Sequence, residues 1–328
     1  TAMAVGILAC ATGGDRLKSS KVFGFGVLFF LAGSVLIYAA TSNEVLLAGR
    51  VLQGFGAGLF SPLIPVLLTQ ASPDRPGRTL ILWGSTAGYV AALAPLACGF
   101  FLTDENWNLA FLLIAMVAVV AVFSLLVTQS HEETTPTANR KNPFSALLEA
   151  RELWLTLGYV FTTYGAITYF LFRMPLWLAE AGRDTASIGI VLSVLWLSFS
   201  TLSTLLRNWV DNDRLKPIMI AAPILIALGL ILALSANTPS LIVSACLIGC
   251  GLACSNAPST QLVLRFAPKG LTALATSLDI TMARLGGIVT VTLLADIGLG
   301  VSVSAVILSC LLAVAFAILV ANRGIKAT

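Results

Sequence analysis

The stretch Val45–Gln70 reads VLLAGRVLQGFGAGLFSPLIPVLLTQ, 26 residues in which Arg50 is the only charge. As a helix rising ~1.5 Å per residue, such a run outspans the ~30 Å of hydrocarbon in a bilayer. A charge at that depth costs on the order of 2.5–3.5 kcal/mol on insertion scales, so Arg50 is a functional candidate from the outset.

Similar apolar runs recur near 22–40, 78–102, 108–128, 154–179, 186–207, 217–235, 239–263, 271–295 and 298–321. Helix breakers at Ser72-Pro73-Asp74, Asn237-Thr238-Pro239 and Ala267-Pro268-Lys269-Gly270 separate some of them. The expected fold class is an all-α polytopic membrane protein with ten complete spans. Composition agrees: of 328 residues, 58% are hydrophobic and 10% charged, against roughly 25% charged in soluble domains. Collagen-like, disordered, disulfide-rich secreted and nucleic-acid-binding classes are excluded by the same numbers.

Residues 1–12 are apolar but too short to span, and the chain opens on Thr1. The expected start is partway through a helix whose first half is absent; with six helices to each half, the first half would lack one helix entirely and part of a second. Basic residues mark the sides. Arg16, Lys18, Lys21, Arg75, Arg78, Arg140, Lys141, Arg151, Arg207, Arg214, Lys216, Arg265, Lys269, Arg323 and Lys326 fall in alternate loops or at the chain's end. The opposite loops hold Arg183 with Glu44, Asp104, Glu105, Glu180 and Asp184. The positive-inside rule makes the basic set, and with it the C-terminus, cytoplasmic. Trp107, Trp154, Trp177 and Trp209 lie near span ends, where interfacial aromatics belong.

Residues 129–153 form a long polar linker, in which Asn142-Pro143 reads as the N-cap and first residue of a short surface helix running to Arg151. The expected domains are therefore a bundle over 1–128, the linker over 129–153 and a second bundle over 154–328. Repeats support two related halves. Asp15-Arg16-Leu17-Lys18 recurs as Asp213-Arg214-Leu215-Lys216, Gly54-x-Gly56 as Gly249-x-Gly251, and Pro73 as Pro268, at offsets of 198, 195 and 195. Internal repeats meeting at a midplane site are the usual build of secondary transporters.

Three stretches carry a resemblance. Gly49-Arg50-Val51-Leu52-Gln53-Gly54-Phe55-Gly56 resembles the fourth-helix Arg-x-x-Gln-Gly-x-Gly motif of the major facilitator superfamily. Gly14-Asp15-Arg16 resembles the core of its loop motif between helices two and three. Ala94-Pro95-Leu96-Ala97-Cys98-Gly99 resembles the fifth-helix motif of its drug:proton antiporter branches, with Ala94 and Cys98 at two glycine positions. The resemblance implies two pseudo-symmetric six-helix bundles, the chain running from mid-helix two to helix twelve. It also implies a role for Arg50 in proton coupling; snorkelling to the outer surface is the structural alternative.

Four charges fall inside spans: Arg50, Arg173, Asp279 and Arg284. Asp279 is the deep carboxylate, read either as a proton carrier or as half of a structural ion pair. Arg284, five residues on, is ~140° around the helix and does not share its face. It reads as a substrate contact, and Arg173 as a contact or a snorkelling side chain. Gln53, Tyr164, Tyr169 and Asn256 line the cavity or make ordinary interhelical hydrogen bonds. Asp15, Arg16, Lys18, Asp213 and Arg214 read as cytoplasmic gates, in which each Asp accepts from a helix N-terminus and pairs with Arg. Gly54, Gly56, Gly88 and Gly99 read as close-packing positions and Pro95 as a hinge. Cys246, Cys250 and Cys254, spaced at i, i+4, i+8, are small packing residues or, alternatively, a thiol metal site.

The sequence thus predicts a carrier, not an enzyme: the lone His131 and lone deep Asp279 make no hydrolase set, and there is no Gly-x-x-x-x-Gly-Lys phosphate loop. The expected activity is proton-coupled efflux of small organic molecules, by a monomer in a bacterial cytoplasmic membrane, without cofactor or nucleic acid. Proton-coupled uptake of an organic anion is the alternative, because three Arg against one Asp leave the intramembrane charges net positive. A non-transporting scaffold or receptor is the rival from another class.

Overall fold

In hydrocarbon a backbone amide has no water to bond, so a spanning segment must satisfy itself along its own helix. A computed structural model describes residues 2–13, 19–101, 106–127, 143–180, 182–183, 185–209, 215–235 and 237–324, and among them helix is the only regular element. The helices are α1 (Ala2–Gly13), α2 (Ser19–Tyr38), α3 (Asn43–Phe60), α4 (Leu63–Ala71), α5 (Pro76–Phe101), α6 (Leu109–Val127) and α7 (Pro143–Glu149). There follow α8 (Arg151–Glu180), α9 (Thr185–Leu206), α10 (Leu215–Ala233), α11 (Thr238–Phe266), α12 (Thr272–Leu294) and α13 (Leu299–Gly324). Among the described residues, eight segments are long and apolar enough to cross a membrane, counting α3 and α4 as one.

Every expected run carries helix, with two differences in detail. The run 45–70 is divided: Ser61 keeps helical backbone and its N–H donates to the Ala57 carbonyl at 3.0 Å, after which α4 restarts at Leu63. Pro62 and Pro65 are the cause, since each withholds an amide that the helical ladder needs. Second, Arg151 opens α8 instead of closing the surface helix, which is α7 and stops at Glu149; the expected cap at Asn142 lies outside the described residues. Helix starts are capped where polar loops allow. The Ser42 hydroxyl accepts from the Val45 N–H at 3.4 Å, and the Asn237 side chain accepts from the Ser240 N–H at 2.8 Å. After α8, Gly182 takes φ +73°, and the Arg183 N–H returns to the Leu178 carbonyl at 2.9 Å.

The chain divides into two compact units: Thr1–Ala71 with Cys98–Glu149 and Ala267–Thr281, and Ser72–Ala97 with Ala150–Phe266 and Met282–Thr328. In the first, α2 crosses α3 at backbone contact. A methyl at Gly56 would stand 2.5 Å from both the Gly26 carbonyl oxygen and the Phe30 nitrogen, and one at Gly33 would stand 2.6 Å from the Gly49 oxygen. In the second unit, α10 and α11 repeat the arrangement. Gly251 faces the Ala222 carbonyl and Ile226, and Gly229 faces the Ser244 carbonyl. These are the same positions 195 or 196 residues on. Without a hydrophobic drive between helices in lipid, small residues and close van der Waals contact hold such pairs.

Gly56→Ala is expected to destabilise the protein by about 1–3 kcal/mol, the usual overpacking cost, because its obstacles are backbone atoms that cannot rotate away. Gly54→Ala, whose methyl would meet Ala2 at an ordinary 3.4 Å, is expected to be neutral or stabilising. Thermal unfolding of the two variants in detergent checks the contrast; equal losses would refute it.

Candidate functional site: a polar chain across α2, α3 and α6

Arg50 and Gln53 lie three residues apart on α3, so they share a helix face. Arg50 Nη1 donates to Gln53 Oε1 at 3.1 Å. Gln53 Nε2 in turn donates to Ser34 Oγ of α2 at 3.0 Å, and Ser34 Oγ donates to its own helix at the Phe30 carbonyl, 2.8 Å away. The chain has a direction. Because the Ser34 proton is committed to Phe30, its lone pairs face Gln53, which must then offer its NH₂ to Ser34 and its oxygen to Arg50. Ser34 is fully buried and Gln53 is 8% exposed, whereas Arg50 is exposed.

Across the guanidinium, the Phe111 ring of α6 centres 4.6 Å from Arg50 Cζ. An aromatic face attracts a cation without neutralising it. Among the described residues the salt bridge is Arg173 with Glu180, so Arg50 keeps its charge beside a ring and an amide oxygen. The arrangement can present a cation, held in place by an amide and a ring, to an anion or to a titrating carboxyl, and such a cation favours the ionised form of that carboxyl.

The other unit holds separate polar pairs. Tyr164 of α8 donates to Asn256 Oδ1 of α11 at 2.7 Å, and Tyr169 meets Ser302 of α13 at 2.5 Å. Arg173 Nη1 reaches Glu180 Oε1 at 3.4 Å. Gly88 of α5 packs on Phe199 and Ser200 of α9, where a methyl would collide. Asp279 is 8% exposed on α12, with Ala273 of the same helix packed among Cys10, Val22 and Leu59. Arg284 is exposed and belongs to the second unit. The expected gates Asp15, Arg16, Lys18, Asp213 and Arg214 lie outside the described residues, as do the surroundings of Pro95 and Gly99 within α5. Among the described residues no group of three or more metal-ligating side chains gathers, and the five described cysteines are free.

The family model for the Major Facilitator Superfamily matches residues 1–291. The chain belongs to the Major Facilitator Superfamily. A transporter of Bacillus subtilis (strain 168), the uncharacterized YycB, is 27% identical over 211 residues, 62% of this chain and 50% of that protein. The drug efflux pump JefA of Mycobacterium tuberculosis is 30% identical over 138 residues, 41% of this chain and 27% of that pump. The matched segments thus span half or less of these relatives. The human organic anion transporter MFSD10 (TETRAN) shares the fold with a TM-score of 0.78 at 16% identity, over 96% of this chain and 80% of that one.

Within this superfamily chain, sequence reasoning found Arg50 and Gln53 but not Ser34 or Phe111. Ser34 is legible as a hydroxyl beside Gly33 in an apolar helix, yet many such hydroxyls only bond back to their own helix. Phe111 carried no signal at all, being one apolar residue in a continuous apolar run.

Ser34→Ala is expected to strand Gln53 Nε2 and to cost about 1–3 kcal/mol. Adding Gln53→Leu to it should recover part of that loss, giving a coupling of about 0.5–3 kcal/mol in a double-mutant cycle on unfolding. Strict additivity would mean that the two side chains do not interact.

Proposed function

We propose that this superfamily member is a proton-coupled carrier that exports small organic molecules by alternating access. The working unit is a monomer with two bundles, over 1–128 and 154–328, joined by the 129–153 linker. It sits in a bacterial cytoplasmic membrane with the basic loops and the C-terminus inside. Efflux is favoured by the likeness to a relative named as a drug efflux pump.

One observation carries the reading. The α2–α3 packing is repeated by α10–α11, but the polar chain is not: the positions that match Arg50, Gln53 and Ser34 hold Ala245, Ile248 and Leu230. All three are buried apolar residues of the α10–α11 unit, each 1% exposed or less. The fold therefore does not need a polar chain at this crossing, and an intramembrane charge held by hydrogen bonds that folding does not require points to function. In this proposal Arg50 tunes a coupling carboxyl, Asp279 is the protonating acid and Arg284 contacts substrate. Asp15, Arg16, Lys18, Asp213 and Arg214 gate the cytoplasmic face, while Tyr164 and Asn256 line the substrate path. Proton-coupled uptake of an organic anion is the second reading, favoured by the three intramembrane arginines, Arg50, Arg173 and Arg284, against the one Asp279.

The test uses the protein in proteoliposomes with a pH-sensitive dye inside, an imposed proton gradient, and a panel of cationic drugs and organic anions. Drug-driven proton movement is expected in wild type. Gln53→Leu, which imitates the apolar repeat, should fold but slow transport at least about tenfold, or about 1.4 kcal/mol in barrier; Asp279→Asn should uncouple it. Proton co-entry driven by an organic anion would replace efflux with uptake. Unchanged flux in all variants would remove both.

A further inference from the structure

In the second unit, the turn that ends α8 and the start of α11 are tied together: Arg183 Nη1 donates to Oγ1 of Thr238, the first residue of α11, at 3.3 Å. Further along, α9 and α11 touch, and a methyl on Gly249 would collide with the Leu195 carbonyl. Between that contact and the two helix starts the packing leaves a cavity of about 130 Å³, roughly the liquid volume of four waters. Its walls are apolar, and Leu178, Val191 and Leu241 among them are only 2–3% exposed. Its polar lining consists of Arg183, Ser187 and Thr238. Arg183 and Thr238 are exposed, so the polar end of the cavity opens to water at the helix ends.

The mouth is positive. A guanidinium carries five N–H donors, and the Thr238 hydroxyl occupies one of the Arg183 nitrogens. Among the described residues no carboxylate pairs with Arg183, because Glu180 reaches Arg173 instead. The starts of α9 and α11 bring the positive ends of two helix dipoles to the same place. The lining therefore offers a cation at one end and dry aliphatic side chains at the other. Inorganic phosphate would satisfy the first and leave the second empty, and an alcohol would do the reverse. A phospholipid acyl chain is too long for this volume.

We propose that this cavity binds a short-chain aliphatic monocarboxylate, with its carboxylate on Arg183 and Thr238 and its alkyl part against Leu178, Val191 and Leu241. Arginine suits this ligand because its planar fork matches a carboxylate with two parallel N–H bonds. The site shares no residue with the Arg50–Gln53–Ser34 chain, which belongs to the other unit. On the topology proposed above it faces the side opposite the basic loops, but the binding itself depends neither on that topology nor on transport.

The test measures binding and not flux, so its failure is separate from a failure of the export reading. Butyrate is titrated into the full chain in detergent and followed by saturation-transfer NMR, with butanol, inorganic phosphate and octanoate as comparison probes. Wild type is expected to bind butyrate with a dissociation constant in the millimolar range. Butanol and phosphate should each bind at least about tenfold more weakly, the loss expected when a hydrogen bond to a charged group, or the apolar contact, is missing. Arg183→Gln should weaken butyrate by a similar factor, and Arg183→Lys should keep part of the affinity. Ile190→Trp fills the cavity from an exposed lining position and leaves Arg183 intact. It should abolish binding, which keeps the test decisive if Arg183→Gln fails to fold. Butanol or phosphate binding as well as butyrate would overturn the proposal, as would unchanged affinity in Arg183→Gln or Ile190→Trp. Octanoate displacing butyrate at tenfold lower concentration would also overturn it, by making the site a groove for bilayer fatty acid.

Discussion

The whole structure answers to one constraint: in hydrocarbon, water does not complete a polar group's hydrogen bonds. Hydroxyls in the spans mostly turn back on their own helix. Thr69 bonds to the Pro65 carbonyl, Thr156 to that of Glu152, Thr276 to that of Thr272 and Thr281 to that of Ser277, all four residues earlier. Ser34 begins in the same way but has a lone pair to spare, and Gln53 uses it. The Arg50–Gln53–Ser34 chain is thus an ordinary back-bonded serine extended by one amide to reach a cation. Each group in the chain fixes the next, so Arg50 is held by partners that have no other use for their valences.

Close helix contact makes that extension possible. Ser34 and Gln53 can meet because Gly33 lets α2 approach the backbone of α3 at Gly49 and Gln53. Any side chain at that crossing would push the two helices apart and break the 3.0 Å bond beside it. In the second unit, the equivalent crossing brings Ile248 and Leu230 together in a dry core. One backbone solution therefore supports two chemistries, and the difference lies in three side chains.

Much of this was legible in the amino-acid order. Run length and loop charge do not depend on tertiary detail, which is why Thr238–Phe266 and Leu299–Gly324 fall within three residues of the expected spans. Arg50 and Gln53 announced themselves as polar residues in a glycine-rich apolar helix. The partners on other helices did not. Phe111 is one of many apolar residues in α6 until the fold sets it over Arg50, and Arg173 found a counter-ion two turns along its own helix, where sequence reading offered only substrate or surface. The split of the 45–70 run could have been anticipated, since Pro62 and Pro65 lie within four residues. Length alone had argued for a single rod.

That split has a mechanical meaning. Neither proline supplies the amide that an unbroken helix would bring to the carbonyl oxygens of Gly58 and Ser61. With two rungs already absent, flexing the rod at this point strains less of its hydrogen-bond ladder than flexing it elsewhere. Bending stiffness along the α3–α4 span is therefore uneven, with a stiff glycine-packed segment that carries Arg50 and a compliant joint below it. Strain arriving from the α4 end is absorbed at Ser61–Pro62 before it can reach the Arg50–Gln53–Ser34 chain.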